Sequence, residues 1–228
     1  IDRDDDINAL SISDMLYADE PSSDSGQVAV YYAYGSIVQD GSSSLMSQEH
    51  NIVAADVCAD LESLMDDDDV KAVVIRINSG GGDAYASEQL WHQVMKLKAK
   101  KPVVVSMGDM AASGAYYMSC AANWIVAQPT TMTGSIGIFA AIPDLSGLMT
   151  KKLGVKFDEV KTHKNSTFGS SARPMNADEQ AILQSYINRG YSLFLKRVAD
   201  GRKMKVEQVN EIAQGHVYLG QDAIGLKL

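Results

Sequence analysis

Ser113 stands inside GDMAASGAYYMSCAA (residues 108–122), among Ala111, Ala112, Gly114 and Ala115. A serine hydroxyl attacks a carbonyl only when a base takes its proton. The oxyanion that follows needs backbone N–H donors close by. Both demands favour small neighbours, because bulk at 112 or 114 would keep a substrate off the hydroxyl. A helix opening at this point adds oriented N–H groups and a partial positive charge. Serine is also a preferred helix N-cap, so the residues alone leave two readings open, nucleophile and cap. The second stretch is NSGGGD (78–83). Its glycines permit positive φ and close backbone approach, so Gly81 or Gly82 could offer an N–H to an oxyanion or lay the chain beside a peptide. The plainer reading is a strand-to-helix turn. No GxxxxGK or GxGxxG pattern follows a strand, which leaves phosphate binding without support.

The base must come from elsewhere. His50, His92, His163 and His216 lie in no triad-like motif. Lysine serves as a general base once burial depresses its pKa, and VKTHKNSTFGSSARPM (160–175) offers Lys161 and Lys164 in a Gly/Ser-rich loop. Loop lysines are ordinarily solvated. Thr133 or Ser135, in TMTGSIG, could hydrogen-bond such a lysine, and the stretch reads equally as a plain strand and turn. Cys58 and Cys120 are 62 positions apart with no ligand-like spacing, so neither a metal site nor a disulfide framework is expected. Cys58 falls on an apolar helical pattern and reads as a core thiol. No cofactor is expected.

These residues need elements to position them. QVAVYYA (27–33), KAVVIRI (71–77) and KPVVVSM (101–107) read as strands. Residues 48–66 and 84–100 carry helical apolar spacing. The alternation strand, helix, strand, glycine turn, helix, strand predicts an α/β domain with a parallel sheet. Right-handed crossovers then bring the two turns, NSGGG and GDMAASG, to the same carboxyl edge. Further strands are expected in WIVA (124–127), TMTGSIGIF (131–139) and KFDEVK (156–161), and helices over 176–200 and 204–213. A short helical piece is expected around INALSISDMLY, and residues 1–26 read as an acidic segment and linker ahead of a domain at 27–228.

The bulk numbers agree with a folded globular domain. The chain has 228 residues, 46% hydrophobic and 21% charged, with a formal net charge of −9. That charge disfavours a nucleic-acid groove. The runs Asp4–Asp6 and Asp66–Asp69 read as solvated surface. No apolar run reaches the length of a membrane span, and the acidic start does not resemble a signal peptide.

In order and spacing, VVIRINSGGGDAYASEQL, KPVVVSMGDMAASGAYYMSCAANWIVAQPTTMTGSIGI, VKTHKNS, RPMNADEQ and IAQGHVYLGQDAIGLKL resemble the signal peptide peptidase A (protease IV) family from about residue 27 onward. The resemblance implies a Clp-protease/crotonase-like α/β superfold and a Ser/Lys catalytic dyad. It implies Ser113 as nucleophile and Lys164, about fifty residues downstream, as base. NSGGG matches the family's NSPGG with Gly80 in place of proline. Gly81, Gly82 and Gly114 then become the oxyanion and substrate-strand residues.

The resemblance also implies peptide substrates such as cleaved signal peptides, a homo-oligomer, and a full-length protein anchored at the extracytoplasmic side of a membrane. IDRDDDINALSISDMLY resembles the region joining the two copies of long-form members. The chain is therefore expected to correspond to the carboxyl-terminal half of one, which leaves two sources for the base, Lys164 and a lysine from another domain or subunit. Two other readings remain from the residues: a non-catalytic assembly domain with an incomplete site, its interface on Trp91, His92 and Met95, and a crotonase-like acyl-CoA enzyme.

Overall fold

The computed structural model describes residues 26–40, 50–170 and 172–228. The expected helix at INALSISDMLY and residues 1–25 of the acidic segment lie outside them. Strands β1 (Gln27–Tyr34), β4 (Val70–Ser79) and β5 (Val103–Ala112) pair in parallel. Strands β6 (Trp124–Val126) and β7 (Met132–Gly134) both pair with β5, and β8 (Val217–Leu219) runs antiparallel to β7. The order β1-β4-β5-β7-β8 makes β5 the hub, since β6 pairs with its early residues and β7 with its last ones. Short strands β2 (Ser36–Val38) and β3 (Asn51–Val53) form a separate parallel pair.

Alternation decides which way β4 faces. Val73, Ile75 and Ile77 are fully buried, as are Val103 and Val105 of β5. They pack with α1 (Ala54–Asp66), through Val57 and Leu61, and α2 (Ala84–Lys100), through Leu90, Val94 and Leu97. Burial of side chains of this size stabilises the fold by about 1.5–3 kcal/mol each. Asp83 starts α2 by accepting a hydrogen bond from Ala86 N–H at 2.7 Å, and Lys98 and Lys100 sit in its last turn, where cations suit the helix dipole.

Helix α3 (Gly114–Ser119) follows β5 directly. Helix α4 (Ala177–Arg202) crosses behind it, burying Phe194 and Val198. Its start is a capping box, with Asn176 accepting from Glu179 N–H and Glu179 accepting from Asn176 N–H. Helices α5 (Val206–Ile212) and α6 (Gly220–Gly225) flank β8. None of the described helices is long and apolar enough to cross a membrane.

Five sequence expectations change. Residues 51–53 are strand rather than the start of a helix, because Ile52 is buried beside Ile37 of β2. Strand β5 does not end at Met107 but continues through Ala112, past a register shift opposite Ile77 and Ser79. The strand expected over 131–139 is confined to 132–134. KFDEVK is not a strand: Val160 is 92% exposed, and no pairing is recorded for this stretch among the described residues. Strands are stabilised by a neighbour's ladder, and here there is none. Cys58 is half-buried rather than a core residue, with its Sγ 3.8 Å from Gln89 O.

Candidate active site

The two small-residue stretches meet. Strand β5 delivers Ser113 at the carboxyl edge of the sheet, and β4 delivers Gly80–Gly82 beside it. A Cβ built on Gly81 would lie 2.5 Å from Gly114 N and 2.9 Å from the Ser113 Cβ, and Gly81 has φ +93°. Only a glycine combines that conformation with that proximity. Ser113 itself has φ 54° and ψ −121°, which is uncommon for a residue with a side chain. Ser113 N–H donates to Gly134 O of β7 at 2.9 Å, and Ser113 O accepts from Tyr117 N–H at 2.8 Å. These two bonds fix the strand-to-helix elbow. The serine occupies the N-cap position of α3 by its backbone, but its side chain makes no capping hydrogen bond. Ser113 is half-buried.

Two backbone donors converge here. Ile37 N–H donates to Gly81 O at 3.0 Å, and Asp83 N–H donates to Ile37 O at 2.9 Å. In a parallel bridge of this kind the middle residue turns its own N–H away, so Gly82 N–H is directed away from Ile37. A Cβ built on Gly114 would lie 3.2 Å from Gly82 N. Gly114 N–H opens α3 and has no intrahelical acceptor, and no backbone acceptor meets Gly82 N–H among the described residues. Gly81 N–H, by contrast, is taken by the buried Ser79 Oγ at 3.0 Å. Of the two glycines that the sequence leaves equivalent, the geometry offers the N–H of Gly82 and gives Gly81 the role of close approach.

Two cavities flank Ser113. One, of about 380 Å³, is walled by Asp83, Tyr85, Tyr117, Ile138, Leu183 and Ile187. The other, of about 550 Å³, includes Ser135, Phe139, Gln184, Asn188, Tyr191 and Gln214. Gly137, Ile138 and Phe139 line both. The floor of the second is fixed by Ser135 N–H donating to His216 O at 2.7 Å and Gly215 N–H donating to Ile136 O at 3.0 Å. Ser135 also has positive φ, 50°. Nothing in the sequence signals this junction except the glycines at 134, 137 and 215.

The remaining expected residues lie as follows. Ser135 shares a cavity with Ser113. Thr133 is buried, lines neither cavity, and spends its hydroxyl proton on Ala111 O at 2.8 Å. Lys164 is 76% exposed in its side chain and ion-paired with Asp178 at the start of α4. Lys161 pairs with Glu159 at 2.7 Å. Among the described residues no lysine or histidine lines either cavity at Ser113. Cys120, under the site, is fully buried, and desolvation pushes its thiol up to about 12, so it is no competing nucleophile. Trp91 is packed under Arg197, while His92 and Met95 face outward.

Comparison with known proteins gives the family and the fold. The model of peptidase family S49 matches residues 95–228, and that of Clp protease matches residues 25–133. Protease 4 of Haemophilus influenzae is 42% identical over 86% of this chain and 31% of its own length. Protease 4 of Salmonella typhi is 40% identical over 89% of this chain and 32% of its own. The chloroplastic serine protease SPPA of Arabidopsis thaliana is 37% identical over 86% of this chain and 29% of its own. The chain thus spans about a third of the length of these relatives. Among solved structures, a ClpP1 mutant from Listeria monocytogenes superposes with a TM-score of 0.54 at 17% identity, covering 87% of this chain and 86% of that one. The fold is the Clp-protease-like α/β fold, as the family resemblance implies.

Proposed function

We propose, from the premise that this chain belongs to peptidase family S49, that it carries the nucleophile and oxyanion hole of a serine peptidase acting on apolar peptides such as cleaved signal peptides. The observation that carries the reading is the strained Ser113 elbow set against Gly82 and Gly114. Ser113 Oγ attacks the scissile carbonyl, and its proton passes to a neutral lysine. The N–H groups of Gly82 and Gly114 receive the oxyanion, and the lysine then protonates the leaving amine. Ile138, Phe139, Leu183 and Ile187 supply an apolar wall for substrate side chains. An extended peptide would add its main chain beside the glycine turn in the manner of an extra strand.

The test is labelling with a fluorophosphonate probe. The parent chain, assembled with any further part that supplies the base, is expected to label, and S113A is not. Equal labelling of the two would remove Ser113 from the mechanism.

The source of the lysine has two readings. Lys164 matches the family's dyad position, but its ammonium engages Asp178 and is largely solvated. That favours a site completed by a lysine from another domain or subunit, with Lys164 in a surface role. K164A decides between them. Activity within about twofold of the parent is expected if the base is supplied from outside, whereas loss of about a hundredfold or more in kcat, the usual scale for a general base, would restore Lys164. A homo-oligomer and attachment of the full-length protein to the extracytoplasmic side of a membrane belong to the same proposal.

A further inference from the structure

The cavity at Ser113 does not stop at Tyr117 and Ile138. A second hollow, of about 340 Å³, shares Ala84, Tyr85, Tyr117, Ile138 and Tyr186 with it and continues to Leu193. Its walls are aromatic and aliphatic, yet Glu88 of α2 lines it. A lone carboxylate in such walls would recruit a lysine or arginine side chain from a substrate. Glu88 is not alone. Arg197 of α4 grips it with two donors, Nε at 3.2 Å from Oε2 and Nη2 in close contact with Oε1. Tyr117 Oη donates to Oε2 at 2.6 Å. Arg197 in turn stands over Trp91, its Cζ 3.8 Å from the ring centroid, and lines neither hollow. Glu88 therefore lines the hollow while its counter-charge, Arg197, lines neither.

Two other charged groups line these hollows. Asp83, in the cavity at Ser113, accepts from Ala86 N–H and Gln39 Nε2 as the cap of α2. Arg189 is an exposed cation at the rim.

We propose that Arg197 determines the specificity of the hollow beyond Tyr117: by cancelling Glu88 from behind, it makes that acid-lined hollow accept apolar side chains and refuse basic ones. This rests on the reading of Ser113 as the reactive group. Specificity here is negative as much as positive. The apolar wall gives affinity for leucine-like side chains, and the satisfied carboxylate withholds what a cation would need. Arg197 acts through Glu88 and touches no substrate itself.

The test uses tripeptidyl boronic acids, which bond reversibly to a serine Oγ, with each residue in turn leucine, lysine or glutamate. Calorimetric Kd ratios are the readout, and a merely structural role for Arg197 would weaken all probes alike. The parent is expected to favour leucine over both others. R197M is expected to raise the lysine-to-leucine preference about tenfold at one position. E88Q, which leaves Arg197 uncompensated, is expected to raise the glutamate-to-leucine preference at the same position. The double variant E88Q/R197M is expected to return to the parent's order. Should R197M fail to melt cooperatively, E88Q decides alone. Unchanged ratios in the folded single variants, or a parent that prefers lysine, would overturn the proposal. Boronate binding retained by S113A would instead defeat the reading of Ser113, a distinct failure.

Discussion

A positive φ at a residue with a side chain persists only where the surroundings over-determine it. At Ser113 they do so through Gly134 O, Tyr117 N–H and the contact of Gly81 with the 113–114 peptide. Gly81 is the most exacting of these positions. G81A must place a methyl within 2.5 Å of Gly114 N, at φ +93°. We expect it to lower stability by about 2 kcal/mol or more, read as a fall in Tm, and to lose fluorophosphonate labelling even where it folds. G80A is the control, since its methyl would meet only the Met110 Sδ, at 3.3 Å, and should cost little. Ser113 and its glycines were legible as residue types. That Gly82 rather than Gly81 presents a free N–H was not, because it depends on Ser79 Oγ and on Ile37, which is more than 40 positions upstream of Gly82.

Elements extend the reach of these residues. Helix α4 walls both cavities at Ser113 and depends on its first turn. There Glu179 is fully buried, and its hydrogen bond with Arg173, aided by Asn176 N–H, holds its carboxyl down to about 2. A carboxyl held below its ordinary value of 4.5 stabilises the fold above that pH, and the contribution is lost as pH falls from about 4.5 to about 2. E179Q keeps an acceptor for Asn176 N–H but cannot titrate. It should therefore be less stable than the parent at pH 7, with a shallower decline of Tm across that acid window, measured by thermal melts at stepped pH. The strands read at 27–33 and 71–77 and the helices read at 84–100 and 176–200 appear as 27–34, 70–79, 84–100 and 177–202. The run KFDEVK has a strand's composition without a strand's partner, and β5 outlasts its apolar run because Gly108 and Asp109 are carried along by the ladder to β4 and β7. Periodicity reports a segment's own pattern, whereas pairing belongs to two segments at once.

At the scale of the molecule, one face of the sheet carries exposed Val28, Val30, Tyr32, Trp124 and Val126, and the stretch from 139 to 168 exposes Phe139, Leu153, Val160 and Phe168. Parallel sheets are ordinarily covered on both faces, and exposed apolar area of this extent marks association. Light scattering coupled to size exclusion is expected to give a mass at least twice the 24.6 kDa of the chain, and a monomer at all concentrations would remove the oligomer from the proposed function. The sequence by itself determined the parallel α/β order, the two small-residue turns at one sheet edge, and the serine between them, because backbone sterics and apolar spacing are local properties. Only the tertiary structure decided that Gly82 and Gly114 present the free donors, that Lys164 is spent on Asp178 at the surface, and that Arg197 stands behind Glu88. Those are statements about which groups far apart in the chain meet, and a hydrogen bond or ion pair is fixed by distance in space, which spacing along the chain does not supply.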